Sequence, residues 1–214
     1  MYLVIYIFLW SLIYSELSLY YTTNLINSTE NQSILTFNTV SLIHALFCIF
    51  MFGSQILFAD TSKWDNPFTT FQTHIAYVSM SYFIYDMIFN KLSSVFILHH
   101  LASILTYHIT IKYNCFSSLV CYIGFLGELS NPFQILWYVS SKTHNKELEN
   151  KMFPIFSFMF IFIRGIVIPL LLIDFYWFLL YDSIIPIQPK LIVFLCSLLG
   201  SIGSLYWIKK IIYK

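Results

Sequence analysis

Two adjacent histidines, His99 and His100, and two carboxylates, Asp86 and Glu128, stand in stretches of sequence otherwise fit for hydrocarbon. An ionisable side chain there costs roughly 2.5–3.5 kcal/mol for Asp or Lys at mid-bilayer, so each needs a cavity, a polar path or a buried partner. An imidazole whose second ring nitrogen meets a carboxylate can act as a general acid–base or as a transient acyl carrier. In that chemistry His99 or His100 is the base and Asp86 or Glu128 orients it. Neighbouring residues on a helix point about 100° apart. The two histidines are therefore badly placed to share one metal ion, which favours i, i+3 or i, i+4 spacing, and we read no metal site here. The blander reading of each histidine is a hydrogen-bonded core residue, and it is the reading given to His44 and His108.

Arg164 is the one charge that cannot be shed in a membrane, and the intramembrane carboxylates able to meet it are Asp86, Glu128 and Asp174. Arg164 lies about ten residues into a span starting near Pro154, and Glu128 about twelve residues into its own, so their depths agree. We expect these two to form an ion pair and Asp86 to meet a histidine. Asp174, beside Tyr176 and Trp177, is expected at the membrane interface.

The elements that must hold these groups are membrane helices. Of 214 residues 58% are apolar and only 10% charged, and the mean hydropathy is +0.74, against roughly 25% charged residues in soluble domains. A crossing needs about 20 apolar residues, and seven stretches qualify: roughly 1–21, 37–58, 73–90, 94–111, 116–138, 154–180 and 190–208. A β-barrel is excluded, because the stretches are long and lack period-2 alternation. The fold class is thus all-α, a polytopic helical bundle. A net charge of +1 with no basic stripe excludes a nucleic-acid partner. Cys48, Cys115, Cys121 and Cys196 are irregularly spaced within or beside spans and read as core residues. The first ten residues have no basic n-region and read as a retained span.

Basic residues set the orientation. Lys91, Lys142, Lys146, Lys151, Lys209, Lys210 and Lys214 fall on one face, and Lys63, Lys112 and Lys190 on the other. The richer face, with the C-terminus, belongs in the cytosol. That puts the 22–36 loop in the cytosol as well, in conflict with glycosylation sequons at Asn27 and Asn31, and the charge distribution is given precedence.

Polar residues fall in stripes: His74, Ser81 and Tyr85 in span three with Tyr82 and Asp86 alongside; His99, Ser103, Thr106 and Thr110 in span four; Gly124, Glu128 and Asn131 in span five. These faces are expected to point inward. Pro132 is expected to kink span five. Ser197, Gly200, Ser201 and Ser204 in span seven read as a small-residue stripe for close helix packing.

These residues carry a resemblance. Phe96–Trp137, with His99-His100, Ser103, Tyr107 and then Glu128-Leu129-Ser130-Asn131-Pro132-Phe133, resembles the centre of the TLC domain shared by ceramide synthases and Tram translocon proteins. Ser41-Leu42-Ile43-His44, Tyr82-Phe83-Ile84-Tyr85-Asp86, Phe162-Ile163-Arg164 and Trp207-Ile208-Lys209 follow in the order of the TLC domain-containing protein 4 type. The resemblance implies a domain over 37–214, six helices around a lipid-accessible cavity between spans two and seven, preceded by an N-terminal helix and loop over 1–36. It also implies an endoplasmic reticulum membrane. His99 and His100 match the paired histidines of ceramide synthases. Gly127, Glu128 and Asn131 depart from the His, Asp and later Asp of their second motif.

The expected function is therefore to bind, sense or move acyl lipids in membrane lipid homeostasis, without a reaction. The expected cavity lining is His44, Tyr82, Ser103, Tyr107, Asn131 and Arg164. The alternative is a membrane N-acyltransferase of ceramide-synthase type, with His99, His100, Asp86 and Glu128 as its catalytic groups. A third is a cargo receptor or translocon accessory using the Lys142–Lys151 loop. Membrane lipids are the expected partners. No cofactor is expected, acyl-CoA entering only as substrate of the acyltransferase.

Overall fold

The computed structural model describes residues 2–24 and 29–213. The sequon at Asn27 and the terminal Lys214 lie outside the described residues. Among those described there are helices and no strands: α1 (Tyr2–Asn24), α2 (Thr29–Phe58), α3 (Thr70–Phe89), α4 (Ser94–Tyr113), α5 (Ser117–Glu128), α6 (Asn131–Lys142), α7 (Lys146–Phe162), a π-helical turn (Ile163–Val167), α8 (Ile168–Tyr181) and α9 (Ile187–Ile212). The helix α2 begins at Thr29, so most of the loop expected over 22–36 is helical, Asn31 lies in its first turn, and the expected boundary after residue 36 falls inside it.

Among the described residues five stretches are long and apolar enough to cross a membrane: Tyr2–Thr22, Gln32–Phe58, Ser94–Tyr113, Lys146–Tyr181 and Ile187–Ile212. Large apolar side chains cover the outside, Phe58 at 86% exposure and Leu180 at 75%, a surface suited to lipid chains. The protein is an integral membrane helical bundle. The α3 helix is a further rod about 30 Å long, enough for a bilayer core. Its start is set by a capping box: Thr69 accepts from the Gln72 backbone N–H at 3.1 Å and the Gln72 side chain accepts from that of Thr69 at 2.9 Å.

Spans five and six differ from expectation. Pro132 does not kink a continuous helix: α5 stops at Glu128 and α6 starts afresh at Asn131, with Pro132 in its first turn, where a missing N–H costs nothing. Span six starts at Lys146 rather than near Pro154. Its first turns are polar, with Lys146–Glu149 at 2.8 Å and Lys151–Glu147 at 2.7 Å, so they extend the helix beyond the apolar span. Pro169 would clash with the carbonyl four residues back, that of Gly165, and offers it no N–H. The widened turn absorbs this, its first carbonyl, on Ile163, accepting from the Ile168 N–H.

The helix α1 docks along α2 and α3. The Trp10 indole donates to the Val78 carbonyl and to Ser81 Oγ, both at 3.2 Å, and Tyr6 Oη meets His74 Nδ1 at 3.0 Å. The His74 and Ser81 stripe of α3 thus faces inward against α1, with Ser81 fully buried. One apolar core lies here, around Trp10, Val40, Phe52, Tyr82 and Tyr85. A second gathers around Phe116, Leu172, Phe175 and Val193.

Candidate functional site

Between α4, α5, the π turn, α8 and α9 lies a cavity of about 130 Å³, which opens at its mouth into a void of about 940 Å³ in all. Its lining changes character along the bundle. His99, Ser103, Gly127, Glu128, Arg164, Ser201 and Ser204 gather toward the end where α4 begins and α9 finishes. Leu119, Val120, Ile123, Ile168, Leu172 and Val193 line the other end. Phe83 is the contribution of α3. The helix α2, expected to line the cavity, backs it instead: the Phe52 ring fills the place of a side chain at Gly124, whose Cβ would stand 2.5 Å from it.

The paired histidines part company as their helical offset requires. His99 opens onto the cavity. His100 turns to α3, where its Nε2 lies 2.8 Å from Asp86 Oδ2, with both side chains more than nine-tenths buried. Asn90 holds the other oxygen of Asp86 at 3.2 Å. The second ring nitrogen of His100, Nδ1, is buried without a hydrogen-bond partner among the described residues. The carboxylate–histidine pair is therefore assembled, but beside the cavity and not in it.

Arg164 departs from its expected ion pair. Its guanidinium donates to the Gly127 carbonyl, and its face lies 5.0 Å from the Phe160 ring centre. The break after α5 explains this: carbonyls of the last turn have no N–H above them, and an arginine satisfies one while complementing the negative helix end. Glu128 enters the same cavity, but its Oε2 accepts from Asn131 at 2.6 Å. No carboxylate lies within 4.0 Å of Arg164 among the described residues. Asp174 is farther off, bonded at 2.8 Å to the Trp64 indole.

Of the residues expected to line the cavity, Ser103, Tyr107 and Arg164 do so. Ser103 donates to the His99 carbonyl at 2.9 Å, as Thr106 does to Ala102 at 2.8 Å. His44, Tyr82 and Asn131 do not. His44 is wholly buried between α2 and α3, hydrogen-bonded to Ser79 at 2.9 Å and stacked on Tyr82 at 3.8 Å. Tyr82 donates to Ser41 at 2.8 Å. Both serve the interface between α2 and α3. Asn131 acts through Glu128.

The stripe Ser197, Gly200, Ser201 and Ser204 borders the cavity, with Ser197 also bonded to Tyr176 of α8 at 2.8 Å, and a Cβ at Gly200 would meet nothing within 4 Å. The signal was present in the sequence, since hydroxyls repeating on one face of a span suit a polar wall as well as a packing seam. No curated protein matches the chain. The family model of the TLC domain, drawn from the TRAM, LAG1 and CLN8 group, matches residues 30–213, and over that length, nearly all of it, the chain belongs to the TLC-domain family.

Proposed function

We propose that this chain holds an acyl lipid in the cavity between α4 and α9 and senses or moves it in membrane lipid homeostasis. The order of its motifs is most like the TLC domain-containing protein 4 type, and its site is an endoplasmic reticulum membrane with the C-terminus in the cytosol. The observation that carries the reading is the polarity gradient of one cavity: two opposite charges and a histidine at one end, aliphatic side chains at the other. A lipid has the same gradient, and each half of it recovers in this cavity what it would lose in a uniform one.

The experiment is extraction and mass spectrometry of lipid that copurifies with the full chain in mild detergent. Gly200→Phe is the control variant, because Gly200 lines the cavity, a Cβ there meets nothing within 4 Å, and a ring built on it would occupy the cavity. Native protein is expected to carry lipid that Gly200→Phe loses at unchanged thermal stability. Equal lipid in both would overturn the reading.

A second reading, the acyltransferase, draws on His99 lying in the cavity one residue from the His100–Asp86 pair. Labelled acyl-CoA decides it. Transfer of label to an amine or to the protein, abolished by His99→Ala, would replace lipid handling by chemistry, and absence of transfer would remove it.

A further inference from the structure

We propose that the head group bound at the charged end of this cavity is a zwitterion, its ammonium on Glu128 and its phosphate on Arg164. The inference rests on the lipid binding proposed above and names the ligand's polar half. Glu128 is the last residue of α5. A carboxylate there sits at the negative end of the helix dipole, out of water, where both effects disfavour its charge. A structural role would be served better by an amide. Asn131 occupies one of its oxygens, and no cation lies within 4.0 Å among the described residues.

Arg164 is held off in the same way. It gives one nitrogen to the Gly127 carbonyl and rests on Phe160, while its Nε is buried with no partner among the described residues. Opposite charges thus face one void, each tethered to a neutral group and not closed on the other. The void is net neutral. An anionic head group would gain Arg164 and be repelled by Glu128, and an uncharged one would leave both charges desolvated without a counter-ion. A head group with both signs pairs with both.

The test is native mass spectrometry of the full chain in detergent with three single-chain probes of equal chain length: lysophosphatidylethanolamine, lysophosphatidate and monoacylglycerol. The zwitterion is expected to bind about tenfold more tightly than either of the others, the effect of one charge-assisted hydrogen bond. Glu128→Gln keeps an oxygen for Asn131, and it is expected to abolish the preference and raise lysophosphatidate to the level of the zwitterion. Probes that bind without preference, or a ranking unchanged by Glu128→Gln, would overturn the head-group assignment alone, provided that Gly200→Phe still abolishes binding. Binding of no probe, or no effect of Gly200→Phe, would overturn both.

Discussion

His100 and Asp86 meet at 2.8 Å between α4 and α3, while His99, the very next residue, opens onto the cavity. The helix α4 thus divides a structural task from a binding task within one His-His dipeptide. Removing one member of a buried pair leaves an uncompensated group and costs on the order of 3–5 kcal/mol. His100→Ala and Asp86→Ala are therefore expected to lower the thermal midpoint in detergent sharply. The double variant should fall by less than the sum, with a coupling of about 0.5–3 kcal/mol. His99→Ala should leave the midpoint nearly unchanged and alter bound lipid. Additive losses at 86 and 100, or a fall at 99 equal to that at 100, would contradict the division.

The second prediction concerns Arg164. Because its contact is the Gly127 carbonyl, Arg164→Leu strands a buried acceptor at a cost of about 1–3 kcal/mol, whatever happens at Glu128. The Arg164→Leu and Glu128→Leu double variant is therefore expected to be no more stable than Arg164→Leu alone. Recovery of the midpoint in the double variant would mean that charge balance governs this site and the helix end does not.

This is also where legibility in the sequence stops. Apolar length and turn residues were enough to find the helical rods, and the meeting of Asp86 with a histidine followed from the short link between α3 and α4. The partner of Arg164 was hidden because it is a backbone carbonyl, freed by a helix break that the composition around Leu129 and Ser130 does not announce. The π turn was hidden for a related reason: Pro169 signals a disturbance in the hydrogen-bond ladder, but a kink and a widened turn answer it equally well. Polarity in a span points inward, which puts His44 and Tyr82 on the expected cavity lining, but His44 is the hydrogen-bonded core residue that its other reading describes. Inward is toward α2 and α3 for them, and only packing decides which interior a polar group enters.

Two glycines in one cavity make a third prediction. A Cβ at Gly124 would lie 2.5 Å from the Phe52 ring, which is wholly buried, so Gly124→Ala must displace it and is expected to cost about 1–3 kcal/mol. Gly200, mid-helix with open space before it, loses backbone entropy that alanine would not, and Gly200→Ala is expected to stabilise by about 0.5–1 kcal/mol. Thermal midpoints of the two variants should move in opposite directions, and a shift of the same sign would show that α5 and α9 are not packed as described.

The last prediction is a pH dependence at the turn between α8 and α9. Asp182 lies 2.7 Å from Lys190 Nζ, both side chains largely buried, and accepts from the backbone N–H groups of Ile185 at 2.9 Å and Ile184 at 3.3 Å. Burial pushes the Asp182 carboxyl up, but the hydrogen bonds from Lys190 and the two backbone N–H groups, with the lysine charge, outweigh it and hold the group below its ordinary range. The unfolded chain then binds more protons than the folded one on acidification, so stability rises with pH through this window. The contribution is present above the unfolded value, about 3.9, and is lost as the pH falls through the folded value. Asp182→Asn cannot titrate and is expected to be less stable than the native chain at neutral pH, with the difference shrinking as the pH drops below about 4. Midpoints measured across that range decide it: a difference that stays constant with pH would mean that the aspartate is needed for its shape in the turn and not for its charge.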